Sequence, residues 1–368
     1  LAISTEYIAK KSPHISKIEN TILKYNINVI KYFGPNNNFV LLKTKRKLTK
    51  RILQKITKSE DIEYIVTNDL VSIPRFIPST PVTSNDWWHG HLQSEQAWQI
   101  TRGNQNLIVA VIDTGVDYLH PDLASNIAIN EDEIPNNHID DDNNGKIDDY
   151  YGYNFFSDHS DPNDDNGHGT HCAGIIAANG KITGAAPNIK ILPLKFLNQY
   201  GAGDIAKSIM AIHYAIERGA KIISNSYGTP NPNKALKEMI QYAEDAGVLF
   251  VAAAGNAHNN NDIRGEYPAN FDLKNIISVA ANGENRAQAS FTNYGSYSVD
   301  IFAPGVSILS TDKNGTYKTR SGTSMSTPFV AGAAALMWSL DSNLSVYEIK
   351  ENIMRSSVKQ RQYYSKAY

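Results

Sequence analysis

Apolar positions change their rhythm twice along the chain. In the first 75 residues, short apolar segments over 6–9, 28–33, 38–43 and 62–66 predict strands, and helical spacing over 16–25 and 48–56 predicts two helices. The order β-α-β-β-α-β fits a ferredoxin-like α+β sandwich. Pro74, Pro78 and Pro81 then crowd into eight residues, which predicts an extended, solvent-facing linker. From residue 106 the pattern becomes continuous: apolar runs at 107–112, 189–194, 222–224, 249–253 and 276–280 alternate with amphipathic helices such as 203–218 and 234–246. Unbroken β-branched runs separated by helices predict a doubly wound, mostly parallel sheet with helices on both faces, an α/β fold whose chemistry lies at the carboxyl ends of the strands. The domains expected are therefore 1–75, a linker over 76–85, and 86–368.

Three segments carry an acid, a base and a nucleophile. Asp113 ends the run Val111-Ile112-Asp113-Thr114-Gly115, His168 lies between glycines in Asn166-Gly167-His168-Gly169-Thr170-His171, and Ser324 opens a helix in Ser321-Gly322-Thr323-Ser324-Met325-Ser326-Thr327-Pro328. A serine hydroxyl is a poor nucleophile at neutral pH, so an imidazole must take its proton and a carboxylate must fix the imidazole tautomer. Asn256, at the end of Ala253-Ala254-Gly255-Asn256, offers an amide donor for an oxyanion, beside the backbone N–H of Ser324. His171 has no partner motif and is expected to be structural.

These segments, with His120-Pro121-Asp122-Leu123, resemble the subtilase family of serine endopeptidases, of the proteinase K and thermitase type, over residues 87–358 and in the family's order of Asp, His, Asn and Ser. The resemblance implies a subtilisin-like fold acting on polypeptide substrates through an acyl-enzyme. By the same resemblance the basic amino-terminal unit is a propeptide, an intramolecular inhibitor whose tail over 69–80 lies in the cleft, with self-cleavage falling within 71–84. It also makes 195–203 and 224–228 the cleft strands, with Ser226, Tyr227 and Gly228 binding substrate backbone. Loop shapes around Tyr227, Thr229 and Glu266 would set the side-chain preference, which stays open. Cys172, four residues after His168, corresponds to a free cysteine of that type and is expected to be a packed small hydrophobe.

Residues 131–165 hold 12 Asp and Glu against one Lys. At their centre Asp140, Asp142, Asn144, the Lys146 carbonyl and Asp148 fall at alternate positions around Gly145, the front half of a calcium loop, with Tyr151 where a bidentate Glu would stand. Structural calcium is expected there, and a second ion over 154–165. Zinc is not, because no His/Cys set has ligand spacing. The short segment 177–184 puts a further calcium site at Asp122 in doubt.

The net charge of −2 hides a split: residues 1–80 carry 14 Lys and Arg against 6 Asp and Glu, or +8, leaving −10 for the remainder. Opposite signs predict docking of one segment on the other. The basic cluster Lys43, Lys45, Arg46, Lys47, Lys50 and Arg51 lacks interleaved aromatics, which argues against nucleic acid. The longest apolar run, FVAGAAALMW at 329–338, is too short to span a membrane. One cysteine excludes an intramolecular disulfide. A monomer is expected, secreted or periplasmic, the location resting on family habit and on the calcium loop because no signal segment opens the given sequence.

Overall fold

The computed structural model describes residues 5–75, 77 and 86–359. Seven parallel strands form the central sheet, in the order Ile301–Pro304, Ile276–Asn282, Leu249–Ala253, Ile222–Asn225, Ile108–Asp113, Lys190–Lys195 and Tyr153–Asn154. Successive residues of one strand face opposite layers. Ala110 and Ile112 pack with helices Ile205–Glu217 and Lys234–Asp245, while Val109 and Val111 pack with helices His168–Ala177 and Thr323–Leu340. Both faces are thus apolar, which is why the strands read as continuous runs. The sheet is the doubly wound α/β arrangement expected.

Local chemistry sets the helix starts. The Asp204 carboxylate accepts from the Lys207 N–H at 3.1 Å, and the Asn233 amide oxygen accepts from the Ala235 and Leu236 N–H groups. A polar hairpin, Ile308–Asp312 with Thr316–Arg320, escaped the sequence reading because its second strand, TYKTR, buries no residue fully.

The amino-terminal unit forms its own antiparallel sheet in the order Ile27–Phe33, Phe39–Thr44, Thr5–Lys11 and Ile62–Thr67, with helix Lys50–Thr57 packed on it. Its first helix is shorter than predicted, a single turn at Glu19–Ile22 running into a 3₁₀ turn that ends at Asn26 in the left-handed region. Most of the linker lies outside the described residues. Among those described, no helix is long and apolar enough to cross a membrane.

Candidate active site

Asp113 lies at the carboxyl end of the strand beside Lys195, where the parallel sheet directs its chemistry. Its Oδ1 accepts from His168 Nδ1 at 2.8 Å and from the Thr114 N–H at 2.7 Å, with both side chains buried. The opening of the His168 helix is held from two sides. The Asp164 carboxylate accepts from the N–H groups of Asn166, Gly167 and Thr170 and from the Thr170 hydroxyl, and Thr114 Oγ1 accepts from the Gly169 N–H. Gly169 is needed for this approach, since a Cβ there would lie 2.1 Å from the Gly115 carbonyl oxygen. Lys195, buried behind the strand end, donates to the Thr114 and Leu197 carbonyls and pairs with Asp165 at 2.6 Å.

Ser324 occupies the first turn of helix Thr323–Leu340 and is 3% exposed. Its hydroxyl donates to the Ser226 carbonyl at 3.2 Å and makes no hydrogen bond to His168 among the described residues. Pro328 has no N–H to give the Ser324 carbonyl four residues back. That carbonyl instead accepts from the Ser226 hydroxyl at 3.0 Å and from the Cys172 thiol at 3.5 Å. Cys172 is buried, and burial pushes its thiol well above the ordinary range, as befits a packed residue. His171 is structural as expected: its Nε2–H is shared between the Ile308 and Lys318 carbonyls, and burial holds the imidazole well below its ordinary value.

The Asn256 amide bridges this helix start to the cleft. Its oxygen accepts from the Thr323 N–H and hydroxyl, both at 2.9 Å, which turns Nδ2 outward to donate to the Arg75 carbonyl at 3.3 Å. The chain that brings Arg75 there is extended. Leu70–Ser72 pairs antiparallel with Ala202–Asp204, Ser72 exchanges backbone hydrogen bonds with Gly228, the Ile73 N–H donates to Gly201, and Ile77 bridges to Ser321. Of the predicted cleft strand 195–203, the first residue belongs to the central sheet, and 201–203 are the residues that bond or pair with the tail. Gly228 contacts the tail through its backbone. The Tyr227 ring instead faces inward, unexposed, with its hydroxyl 2.6 Å from Ser208 and its ring edge against Phe196.

The acidic loop gathers only part of the expected set. Glu133, Asp140 and Asp142 bring carboxylate oxygens within 4.8 Å of one another. Glu133, seven residues upstream of the motif, was absent from the sequence reading. Its Oε1 accepts from the Asp141 and Asp142 N–H groups, while Oε2 is buried with no hydrogen-bond partner among the described residues. Burial raises the Glu133 carboxyl above its usual range; at Asp142 burial acts the same way, but hydrogen bonds from Asn130 and Asn144 outweigh it and hold the carboxyl low. Asp148 departs from the expected set: its oxygens accept from the Asn137 and His138 N–H groups, because its left-handed backbone turns the side chain to that turn. Asp149 takes the inward direction, accepting from Asn130, Asn144 and the Tyr214 hydroxyl. Asn144 Oδ1 accepts from the Lys146 N–H, and the Lys146 ammonium lies over the Tyr153 ring.

Over 154–165, where a second ion was expected, the carboxylates have other partners: Asp158 pairs with Lys31, Asp164 caps the His168 helix, and Asp165 pairs with Lys195. No three of them converge among the described residues. Asp122 accepts from the Ile182 N–H at 3.0 Å and bonds Tyr317, whose hydroxyl burial and this contact push up to about 12.

Residues 104–368 match the model of the subtilase family. Thermitase of Thermoactinomyces vulgaris is 39% identical over 267 residues, covering 71% of this chain and 85% of the relative. A thermophilic serine proteinase of Bacillus sp. (strain AK1) is 36% identical over 305 residues, 78% of this chain and 69% of the relative. Subtilisin-like protease 1 of Plasmodium berghei is 34% identical over 73% of this chain and 48% of its own length. Family match and strand-end site agree: the chain belongs to the subtilase family and is a serine endopeptidase.

Proposed function

We propose that this endopeptidase cuts polypeptides through a triad of Asp113, His168 and Ser324, and that it is made as a zymogen whose first 75 residues occupy its own cleft. One observation carries this reading: an extended segment crosses the site and hands the Arg75 carbonyl to the Asn256 amide. Backbone pairing of this kind is how a cleft takes an unfolded chain with little regard to its sequence.

In the proposed reaction the Ser324 hydroxyl leaves the Ser226 carbonyl and gives its proton to His168 Nε2 as Oγ attacks the held carbonyl carbon. Asp113 keeps the Nδ1–H tautomer and stabilises the imidazolium. Asn256 Nδ2 and the Ser324 N–H meet the oxyanion, in a site where the helix N-terminus adds favourable potential. His168 then returns the proton to the leaving amine, and water hydrolyses the acyl-enzyme by the reverse sequence.

Calcium fits the acidic loop in this reading. Glu133 Oε2, buried and without a hydrogen-bond partner among the described residues, lies beside Asp140 and Asp142 in a set of hard oxygen donors that suits calcium. When bound, the ion neutralises the repulsion of the cluster; Glu133, Asp140, Asp142 and Asn144 are the side chains that would hold it. Such a site fills where calcium is abundant, which supports a secreted or periplasmic location.

The test is to incubate wild type and Ser324→Ala with a fluorophosphonate probe and an unstructured protein, with and without calcium. Labelling and proteolysis in wild type alone are expected, with two fragments growing from the 40.7 kDa chain on gels. A permanently intact chain would instead indicate a scaffold locked by its own tail, and wild-type labelling that persists in Ser324→Ala would overturn the nucleophile.

A further inference from the structure

Glu266 is a carboxylate without a use in the fold. Its backbone is fixed by Asn270, whose side chain accepts from the Glu266 N–H and whose N–H donates to the Glu266 carbonyl, and the adjoining Tyr267 pairs backbone to backbone with Thr229. None of these bonds needs an acidic side chain. The carboxylate itself makes no hydrogen bond or ion pair among the described residues, and burial alone pushes it up to about 7. A partly buried carboxylate with no partner is costly, and a cation that arrives from outside would offset that cost.

Its position says where that cation would come from. A Cβ built on Gly228 would lie 2.4 Å from Glu266 Oε1, and one built on Gly255 would lie 3.3 Å from Glu266 Cγ. Gly228 is the residue that exchanges backbone hydrogen bonds with Ser72 of the tail, and Gly255 immediately precedes Asn256, which holds the Arg75 carbonyl. The carboxylate therefore lies against both Gly228 and Gly255, in the backbone segments whose Gly228 and Asn256 hold Ser72 and Arg75 of the tail. In this chain's own tail that residue is basic. The Arg75 side chain is exposed and forms no ion pair among the described residues, so it is free to turn inward.

We propose that Glu266 is the specificity-determining residue of the cleft, receiving the lysine or arginine side chain of the residue whose carbonyl is held by Asn256, and that the bond cut in the tail is Arg75–Phe76. The inference rests on the protease reading above. In that cut the Ser324 Oγ bonds to the Arg75 carbonyl carbon, the bond to the Phe76 nitrogen breaks, the serine proton passes through His168 to that nitrogen, and water then releases Arg75 as a carboxylate. A charge-assisted pair in a partly desolvated pocket discriminates more strongly than an added methylene does.

The experiment uses the full chain, allowed to process itself, with matched peptides that differ only in arginine, lysine, norleucine or glutamate before the cleaved bond. Arginine and lysine are expected to exceed norleucine by about 10- to 100-fold in kcat/KM, a ratio that Glu266→Gln brings near one. Mass spectrometry of the released fragment should end at Arg75, with Arg75→Lys processed like wild type, Arg75→Glu processed slowly, and the pair Arg75→Glu with Glu266→Arg recovering. Wild type that labels at Ser324 and cuts peptides yet favours norleucine, or a Gln variant with an unchanged ratio, overturns the assignment to Glu266 and leaves the protease reading standing. A fragment ending elsewhere overturns the named bond. Absence of labelling at Ser324 in a chain that has nevertheless been cut into fragments overturns both readings together.

Discussion

Asn256 performs two jobs with the two ends of one amide, and they can be separated by substitution. The oxygen accepts from both donors of Thr323, each at 2.9 Å, at the start of the helix that carries Ser324. The nitrogen is the group that reaches the Arg75 carbonyl. Asn256→Asp keeps an acceptor for Thr323 but replaces the donor with a charge that repels the oxyanion, so turnover should fall by at least about 10²–10³, or roughly 2.7–4 kcal/mol of transition-state stabilisation. Asn256→Ala loses the donor and also strands the buried Thr323 N–H, which adds about 1–3 kcal/mol of lost stability. The two variants should therefore be similarly slow but unequal in melting temperature, with Ala lower by several degrees. The assay is the rate at which the purified full-length chain converts to fragments on gels, with thermal unfolding measured in parallel on Ser324→Ala backgrounds so that neither variant is cut. An Asp variant that self-cleaves within about threefold of wild type would refute the oxyanion role, because a donor that matters only in the transition state cannot be removed without cost to kcat.

Ser226→Ala should lower the melting temperature by the equivalent of about 1 kcal/mol, since it removes the stronger of the two donors to the carbonyl freed by Pro328; an unchanged transition would mean that Cys172 alone suffices. Calcium at about 100 times its dissociation constant should stabilise the chain by about 2.7 kcal/mol, and Glu133→Gln should abolish most of that shift in differential scanning calorimetry, whereas an equal shift in both would place the ion elsewhere. Burial holds the Glu266 carboxyl at about 7 in the folded chain against about 4.3 unfolded, so the folded state binds the extra proton between these values. Stability should accordingly fall as pH rises through that window, and Glu266→Gln should gain on wild type across it; parallel denaturation curves for the two from pH 4.5 to 7.5 would count against the burial argument. Glu238→Lys should loosen the amino-terminal unit, because it sets a cation against Lys10 and removes the acceptor of the Tyr64 hydroxyl; the readout is faster proteolytic loss of residues 1–75, and unchanged protection would refute it.

What could be read from the residues was what acts locally. A strand buried on both faces must be apolar at every position, so 108–112 and 249–253 announced themselves, and Asp113, His168, Asn256 and Ser324 each stood in a motif whose glycines serve a close approach. The acidic loop was legible only to the extent that its clustered carboxylates are near one another in sequence. Glu133 joins Asp140 and Asp142 because the backbone folds back, and no spacing rule links them. Asp148 fits the alternation yet turns away, since positive φ at that residue aims it at the Asn137 and His138 amides. At Tyr227 the expected contact is through backbone, and what the sequence left open was the side chain: a strand end alternates, and the ring took the inward side. The pairing of the Ser324 carbonyl with Ser226 and Cys172 was implicit in Pro328, but only the fold shows which donors stand opposite.

The +8 and −10 halves would suggest a complex held by charge, and the contacts argue otherwise. Among the described residues, Lys10 with Glu238 at 2.9 Å and Lys31 with Asp158 at 3.1 Å are the ion pairs that join the amino-terminal unit to the rest, both partly exposed and so worth little individually. Lys45, Arg46, Lys47, Lys50 and Arg51 are exposed on the unit's own surface, and Lys43 pairs with Glu6 of the same unit. The closer attachments are hydrogen bonds and burial: Asn233 to the Thr67 carbonyl, the Ala206 N–H to Asn68, the Ile205 N–H to the Asp69 carbonyl, and Val71 at 2% exposure against the cleft. Several of these use main-chain groups that any extended polypeptide owns, which is what the proposed occupation of the cleft by the tail requires. Opposite net charge then acts at a distance, on encounter, while backbone pairing and buried apolar area govern release. It follows that raising salt should slow the association of a separately added amino-terminal unit with the matured enzyme and leave its dissociation rate nearly unchanged.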